Sequence, residues 1–150
     1  MIIISQPKLE VRENEVLVSS CIEDDKKHFR ETIFYKTSAT YRPYVVTEKA
    51  DLFVLSALMP ALFSQSDIRV EGTLSSDLKY ALENGLIYIL AKTYGVRPIK
   101  VHAERIETFE FGGKAVGAGC SMGVDSLATI KQHYILSLIH ISEPTRPISI

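Results

Sequence analysis

The chain has 150 residues, 46% of them hydrophobic and 23% charged, and its 17 basic side chains nearly cancel its 18 acidic ones. That length suits about one domain, buries roughly 70% of the surface exposed by the unfolded chain, and needs no disulfide or metal staple. Near-neutral charge gives no electrostatic case for a nucleic acid or a membrane surface as partner; the two distant cysteines, Cys21 and Cys120, have no ligand spacing, which argues against a disulfide framework or structural zinc site and for a reducing cytoplasm.

The start, Met1-Ile2-Ile3-Ile4-Ser5-Gln6-Pro7, lacks the basic and long apolar regions of a secretory signal, and a cytoplasmic protein is expected. Residues 8–46 read mainly as strands. Leu9, Val11, Val16, Val18 and Ser20 alternate around the turn-prone Glu13-Asn14, a hairpin pattern. Glu23-Asp24-Asp25-Lys26-Lys27 is a charged turn, and residues 29–36 form another strand with Phe29, Glu31, Ile33 and Tyr35 on one parity. Phe34, Tyr41 and Tyr44 are the aromatics from which a stacking platform for a base or sugar would be built. Strand propensity and core or cross-strand packing are the favoured account of them.

Two helices follow. Residues 49–63 are apolar almost all round the cylinder, the pattern of a buried helix that Pro60 kinks or ends. Its apolar stretch is about 14 residues where a membrane span needs about 20. A short strand over residues 67–71 leads to a second helix, which Ser75 or Ser76 caps and Gly95 ends. Leu78, Ala81, Leu82, Leu86, Ile89 and Leu90 recur there at helical spacing, and Gly85 interrupts the helix at a cost of about 1 kcal/mol relative to alanine. Residues 99–111 suggest a strand broken near Glu104-Arg105, and Gly112-Gly113 marks a domain boundary. His28, His102 and His133 are scattered without metal-ligand spacing.

The stretch with the most chemical content is Lys114-Ala115-Val116-Gly117-Ala118-Gly119-Cys120-Ser121-Met122-Gly123-Val124-Asp125-Ser126-Leu127-Ala128-Thr129-Ile130. Small apolar residues up to Cys120 suit a buried parallel strand, and those from Leu127 continue as helix. A loop between a strand and a helix N-terminus presents unpaired N–H groups and a positive dipole end to an anion. A plain strand–turn–helix has the same outline; a dinucleotide fingerprint opening at Gly117-x-Gly119 would find its third glycine one place late, at Gly123.

Ser121-Met122-Gly123-Val124-Asp125-Ser126 resembles the PP-loop, Ser-Gly-Gly-x-Asp-Ser, of the N-type ATP pyrophosphatases, with Met122 in place of the first glycine. The resemblance implies ATP and Mg²⁺ as cofactors, with Ser121, Gly123, Val124, Asp125 and Ser126 as the nucleotide-binding loop and Asp125 organising the metal. It further implies an adenylating, ligase- or amidotransferase-like parent enzyme that activates a small-molecule carbonyl oxygen as its AMP adduct. Leu136-Ser137-Leu138-Ile139-His140-Ile141-Ser142-Glu143-Pro144-Thr145-Arg146 is similar to a translated sequencing adapter, which implies that residues 136–150 are non-native.

The expected fold class is α/β: an α+β domain over residues 1–112, the start of a parallel-sheet nucleotide-binding domain over 113–135, and the foreign tail. A truncated fragment of this kind is expected to be inactive and to self-associate through an exposed strand edge near residues 114–120. The alternative is that residues 1–112 are a substrate- or partner-binding module without catalysis.

Overall fold

A computed structural model describes residues 1–25, 28–109, 115–116, 123–124, 127–128, 131 and 137–138. Two compact units, Met1–Phe109 and Glu110–Ile150, divide the contacts. The architecture is mixed α/β, as the sequence indicates.

In the first unit a six-stranded mixed sheet is covered on one face by helices. Strand β1 (Ile2–Ser5) lies at its centre, antiparallel to β3 (Glu15–Asp24) and parallel to β5 (Ile68–Ser75). Beyond β5 runs β6 (Val101–Glu107), also parallel. The hairpin partner β2 (Lys8–Val11) continues the line of β1 along one side of β3, with Val11 opposite Val16 and the turn closed by Arg12 N donating to Glu15 O at 2.8 Å. Along the other side, β4 (Phe29–Ser38) pairs with β3 from Asp24↔Phe29 to Glu15↔Ser38. The sequence reading has no strand at β1, a short apolar run of which Ile2 and Ile4 are buried and Ile3 is half-buried. It also extended strands to residue 46, where Ala39–Tyr44 form a 3₁₀ turn capped by Ser38 Oγ.

Strand period decides which face is dry. Ile2, Ile4, Val18, Ile22, Ile68, Val70 and Leu74 all face the helices and are buried, each side chain worth about 1.5–3 kcal/mol of transfer free energy. Against them helix α1 (Asp51–Ser64) lays a stripe of Phe53, Val54, Ala57, Leu58, Ala61 and Leu62. Leu52, Leu55 and Phe63 on its far side are exposed, so α1 is half covered rather than buried all round as its composition suggested. Pro60 lies inside it and does not end it; the helix stops at Gln65, in the left-handed conformation (φ 51°), whose side-chain amide donates to Leu62 O at 2.8 Å.

The second helical run comprises α2 (Ser76–Ala81), a π segment (Leu82–Leu86) and α3 (Ile87–Tyr94), and Gly95 closes it with φ 65°. Ser75 is the N-cap, its Oγ accepting from Leu78 N. The π segment inserts one residue's worth of turn, so the inward face passes from Leu82 to Ile87 and Ala91, leaving Leu86 and Ile89 exposed. Regular helical spacing groups those two with Leu78 and Leu82 on one apolar face. A Cβ added at Gly85 would meet nothing within 4 Å, so that glycine serves no close packing.

In β5 the register against β6 slips between Val70 and Thr73, which face Ala103 and Arg105. One extra residue is accommodated there, a β-bulge with Gly72 at φ 152°. The sequence reading put the irregularity in β6, near Glu104-Arg105, and ended β5 at Glu71. In the second unit, β7 (Ala115–Val116) pairs in parallel with β8 (Ser137–Leu138), and Leu127 N donates to Gly123 O at 3.0 Å.

Candidate functional site

Parallel strands direct their carboxyl ends to one edge of a sheet, and ligands of open α/β sheets bind there. Here those ends are Ser5 of β1, Ser75 of β5 and Glu107 of β6, and the N-termini of α1 and α2 start beside them. The bulge at Gly72 lets the Gln6 side chain lie against the backbone of β5, where Gln6 Oε1 accepts from Thr73 N at 3.2 Å and Nε2 donates to Thr47 O at 2.8 Å. Gln6 thereby ties three segments together, β1, the loop before α1 and the end of β5.

Next to it lies a charged pair. Asp51 Oδ1 accepts from Ser75 N at 2.9 Å and Oδ2 from Ser75 Oγ at 2.5 Å, so the first residue of α1 anchors the cap of α2. Lys49 Nζ sits 3.6 Å from Asp51 Oδ2 and 4.6 Å from the centre of the Phe109 ring. Only 14% of the Lys49 side chain and 20% of that of Asp51 are exposed. A pair held this dry has lost most of its hydration, and its attraction is worth more than that of a surface pair.

Lys49 and Asp51 form part of the wall of a cavity of about 320 Å³ that opens between α1, the 3₁₀ turn and the β3–β4 pair. The rest of the wall is Val18, Val45, Val46 and Leu52, with Tyr35, Tyr44, Lys36 and Thr37 beside them. Tyr35 is fixed: its ring meets Phe53 edge-on with centroids 5.8 Å apart, and its hydroxyl is 2.6 Å from Ser56 Oγ. Tyr44 is 73% exposed. A second cavity of about 290 Å³, between α1 and the ends of β1, β3 and β4, is lined by Ile2, Ile22, Phe29, Ile33, Ala57 and Pro60, with Asp24, Ser56 and Ser64 as its polar groups.

Among the described residues the opposite face of the sheet carries no helix, and its charges pair across strands, Lys36 with Glu15 at 2.7 Å and Arg30 with Glu23 at 3.0 Å, or locally, Arg12 with Glu10 at 2.9 Å. The Arg30 guanidinium is held above its ordinary pKa by its hydrogen bond to Cys21 and by the charge of Glu23; Arg12 is raised in the same direction by its hydrogen bond to Glu10.

Of the residues singled out from the sequence, Ser121, Asp125 and Ser126 lie outside the described residues, as do Cys120 and His133. Gly123 is a bend whose carbonyl accepts the helical bond from Leu127, and Val124 is helical and exposed. Phe34 points to the open face, while Tyr44 lines the cavity on the helix side, so these aromatics do not form one platform. His28 and His102 are exposed and separate, and among the described residues no three His, Cys, Asp or Glu side chains are grouped to hold a metal ion. Gln6, Lys49, Asp51 and Ser75 were not singled out as site residues from the sequence, although Asp51 at the head of an apolar helix has the signature of a residue at a helix start.

Strand order and cavity define a two-layer α/β unit with a small amphipathic pocket. No family model matches the chain, and no curated protein matches it. Among solved structures it is similar to a Fowlpox virus resolvase crystallised with substrate Holliday junction DNA, with 15% identity, covering 90% of this chain and 74% of that one at a TM-score of 0.23. So low a score establishes no common fold and transfers neither the resolvase's activity nor its DNA binding.

These comparisons correct the sequence reading. Membership of the PP-loop ATP pyrophosphatases, and the adenylating, ATP-binding function inferred from it, are not supported: no family model matches the chain. The physical reason is the brevity of the motif: six residues rich in Ser, Gly and Asp also suit an ordinary turn and helix cap. The exclusion of nucleic acid as a partner is withdrawn as well, because net charge averages over faces that a partner meets one at a time.

Proposed function

We propose that the unit Met1–Phe109 is a binding module for a small organic molecule, seated in the cavity walled by Lys49, Asp51, Tyr35 and Tyr44. The observation that carries this reading is a largely desolvated Lys49–Asp51 pair set into the wall of a cavity of about 320 Å³ whose other lining is mostly apolar and aromatic, with Lys36 and Thr37 at its β4 side. Small-ligand sites combine apolar walls with a few fixed polar groups in this way, and the volume lies at the lower end of their range. An ammonium and a carboxylate side by side suit a head group that both donates and accepts, such as an amide or a zwitterionic amino acid. Val45, Val46 and Leu52 suit an aliphatic or aromatic body. A cytoplasmic location belongs to the proposal and is supported by the sparse, widely separated cysteines.

Saturation-transfer NMR of the full chain with L-leucine, L-phenylalanine and their amides tests it. Binding by at least one of these, weakened at least about tenfold by Lys49→Met through loss of a charge-assisted contact, is the expected result. Absence of binding by all four, or binding indifferent to Lys49→Met, overturns the reading.

A further inference from the structure

The edge strand β4 offers a second surface. Among the described residues its partner is β3, so its outer row of N–H and C=O groups faces away from the sheet along ten residues. Sheet edges are ordinarily blunted by proline, a bulge, short length or unpaired lysine. Within β4 there is no proline, and its register with β3 runs without a slip from residue 29 to residue 38. Its two basic residues are already engaged inside the sheet, Arg30 by Glu23 and Lys36 by Glu15, which removes much of their deterrent charge. No β4 side chain is fully buried, and Phe29, Phe34 and Tyr35 are all exposed.

We infer that β4 is a self-association edge at which two copies of this chain pair their β4 strands antiparallel about a two-fold axis, joining their sheets. Charge and apolar matching select the register. Across such an axis directly opposed residues share a face, so the candidate centres are single residues near the middle of the strand. Centred on Ile33, the pairing sets Arg30 against the partner's Lys36, a like-charge contact that costs stability. Centred on Tyr35, it sets Phe34 against the partner's Lys36 and Ile33 against the partner's Thr37, dispersing the apolar groups. Centred on Phe34, it brings Phe34 against the partner's Phe34 and Ile33 against the partner's Tyr35, while Arg30, Glu31 and Lys36 meet the partner's Ser38, Thr37 and Thr32. Only the last of these gathers the aromatics without opposing like charges. Ile33 also lines the second cavity, so the partner's Tyr35 arrives beside its wall.

Sedimentation velocity across a concentration series, on the full chain, reads the association. A reversible dimer is expected. Phe34→Lys, which places two ammonium groups together at the axis, raises its dissociation constant at least about tenfold, and His102→Lys on the opposite edge strand leaves it unchanged. Phe34 is 59% exposed, so the lysine variant keeps its fold, as circular dichroism will report. Cysteine cross-linking reads the register: under mild oxidation Phe34→Cys links two chains above the background of the parent. Lys36→Cys does not, because its two copies would lie about 13 Å apart along the strands, beyond disulfide reach. A chain that stays monomeric throughout, a dimer insensitive to Phe34→Lys or broken by His102→Lys, or cross-linking at Lys36→Cys in place of Phe34→Cys overturns the inference.

Discussion

Strands β4 and β5 have similar credentials as sequences and opposite fates in the fold. β4, Phe-Arg-Glu-Thr-Ile-Phe-Tyr-Lys-Thr-Ser, is rich in the aromatic and β-branched residues that favour strands, yet none of its ten positions is fully buried. β5, Ile-Arg-Val-Glu-Gly-Thr-Leu-Ser, contains a glycine and two charges, yet Ile68, Val70 and Leu74 are wholly inaccessible. Neighbours make the difference. β5 lies between β1 and β6 under both α1 and α2, whereas β4 lies at the margin, where the helix layer reaches it through Tyr35 and Ile33. Propensity nominates a strand, and coverage decides how much free energy it carries.

Substitutions can break or sharpen this contrast. Leu74→Ala in β5 removes a fully buried side chain and is expected to cost about 2–5 kcal/mol in urea unfolding; a cost near zero would place the core elsewhere. Asp51→Ala leaves Ser75 N and Oγ without their acceptor where β5 meets α2, and a loss of about 1–3 kcal/mol is expected by the same measurement, with Asp51→Asn retaining part of it. Gly72→Ala forces a Cβ onto the Gln6 side chain at a positive φ that alanine resists, and should lower stability by more than about 1 kcal/mol. If Gln6 swings aside at no cost, the bulge is not the tie described above. Least is expected of β4: Lys36→Ala removes an exposed ion pair with Glu15 worth about 0.2–1 kcal/mol, measured at a concentration where the chain is monomeric and at two salt concentrations, since screening should shrink the difference.

Local chemistry was legible where it alone decides the outcome. The β2–β3 hairpin follows from alternation around Glu13-Asn14, the α2 start from Ser75, and the end of α3 from Gly95. What local patterns do not record is pairing at a distance. Ile2-Ile3-Ile4 was weighed only against a secretory leader, because nothing beside it in sequence shows that β3 and β5 will flank it. Gly72 hid the second half of β5, since a bulge breaks the alternation by which a strand is recognised. Lys49 and Asp51 look in sequence like solvated charges at a helix start. Asp51 meets Ser75 only because α1 packs across β1 and β5, which brings the head of α1 to the end of β5. The Ser121 to Ser126 stretch erred in the other direction: its short pattern resembled a known loop more closely than the comparisons support.

The π segment at Leu82–Leu86 sets how much the length of this chain can vary. The apolar side chains of that helical run that pack on the core are Leu78, Leu82, Ile87, Leu90 and Ala91, with five steps from Leu82 to Ile87 where a regular helix uses four. Deleting Gly85, where an added Cβ would meet nothing within 4 Å, would bring Ile87 to four steps from Leu82 and convert the wide turn into ordinary α-helix with the same side chains inward. The helix thus holds one residue of slack, and the chain can shorten there by one residue without repacking the core.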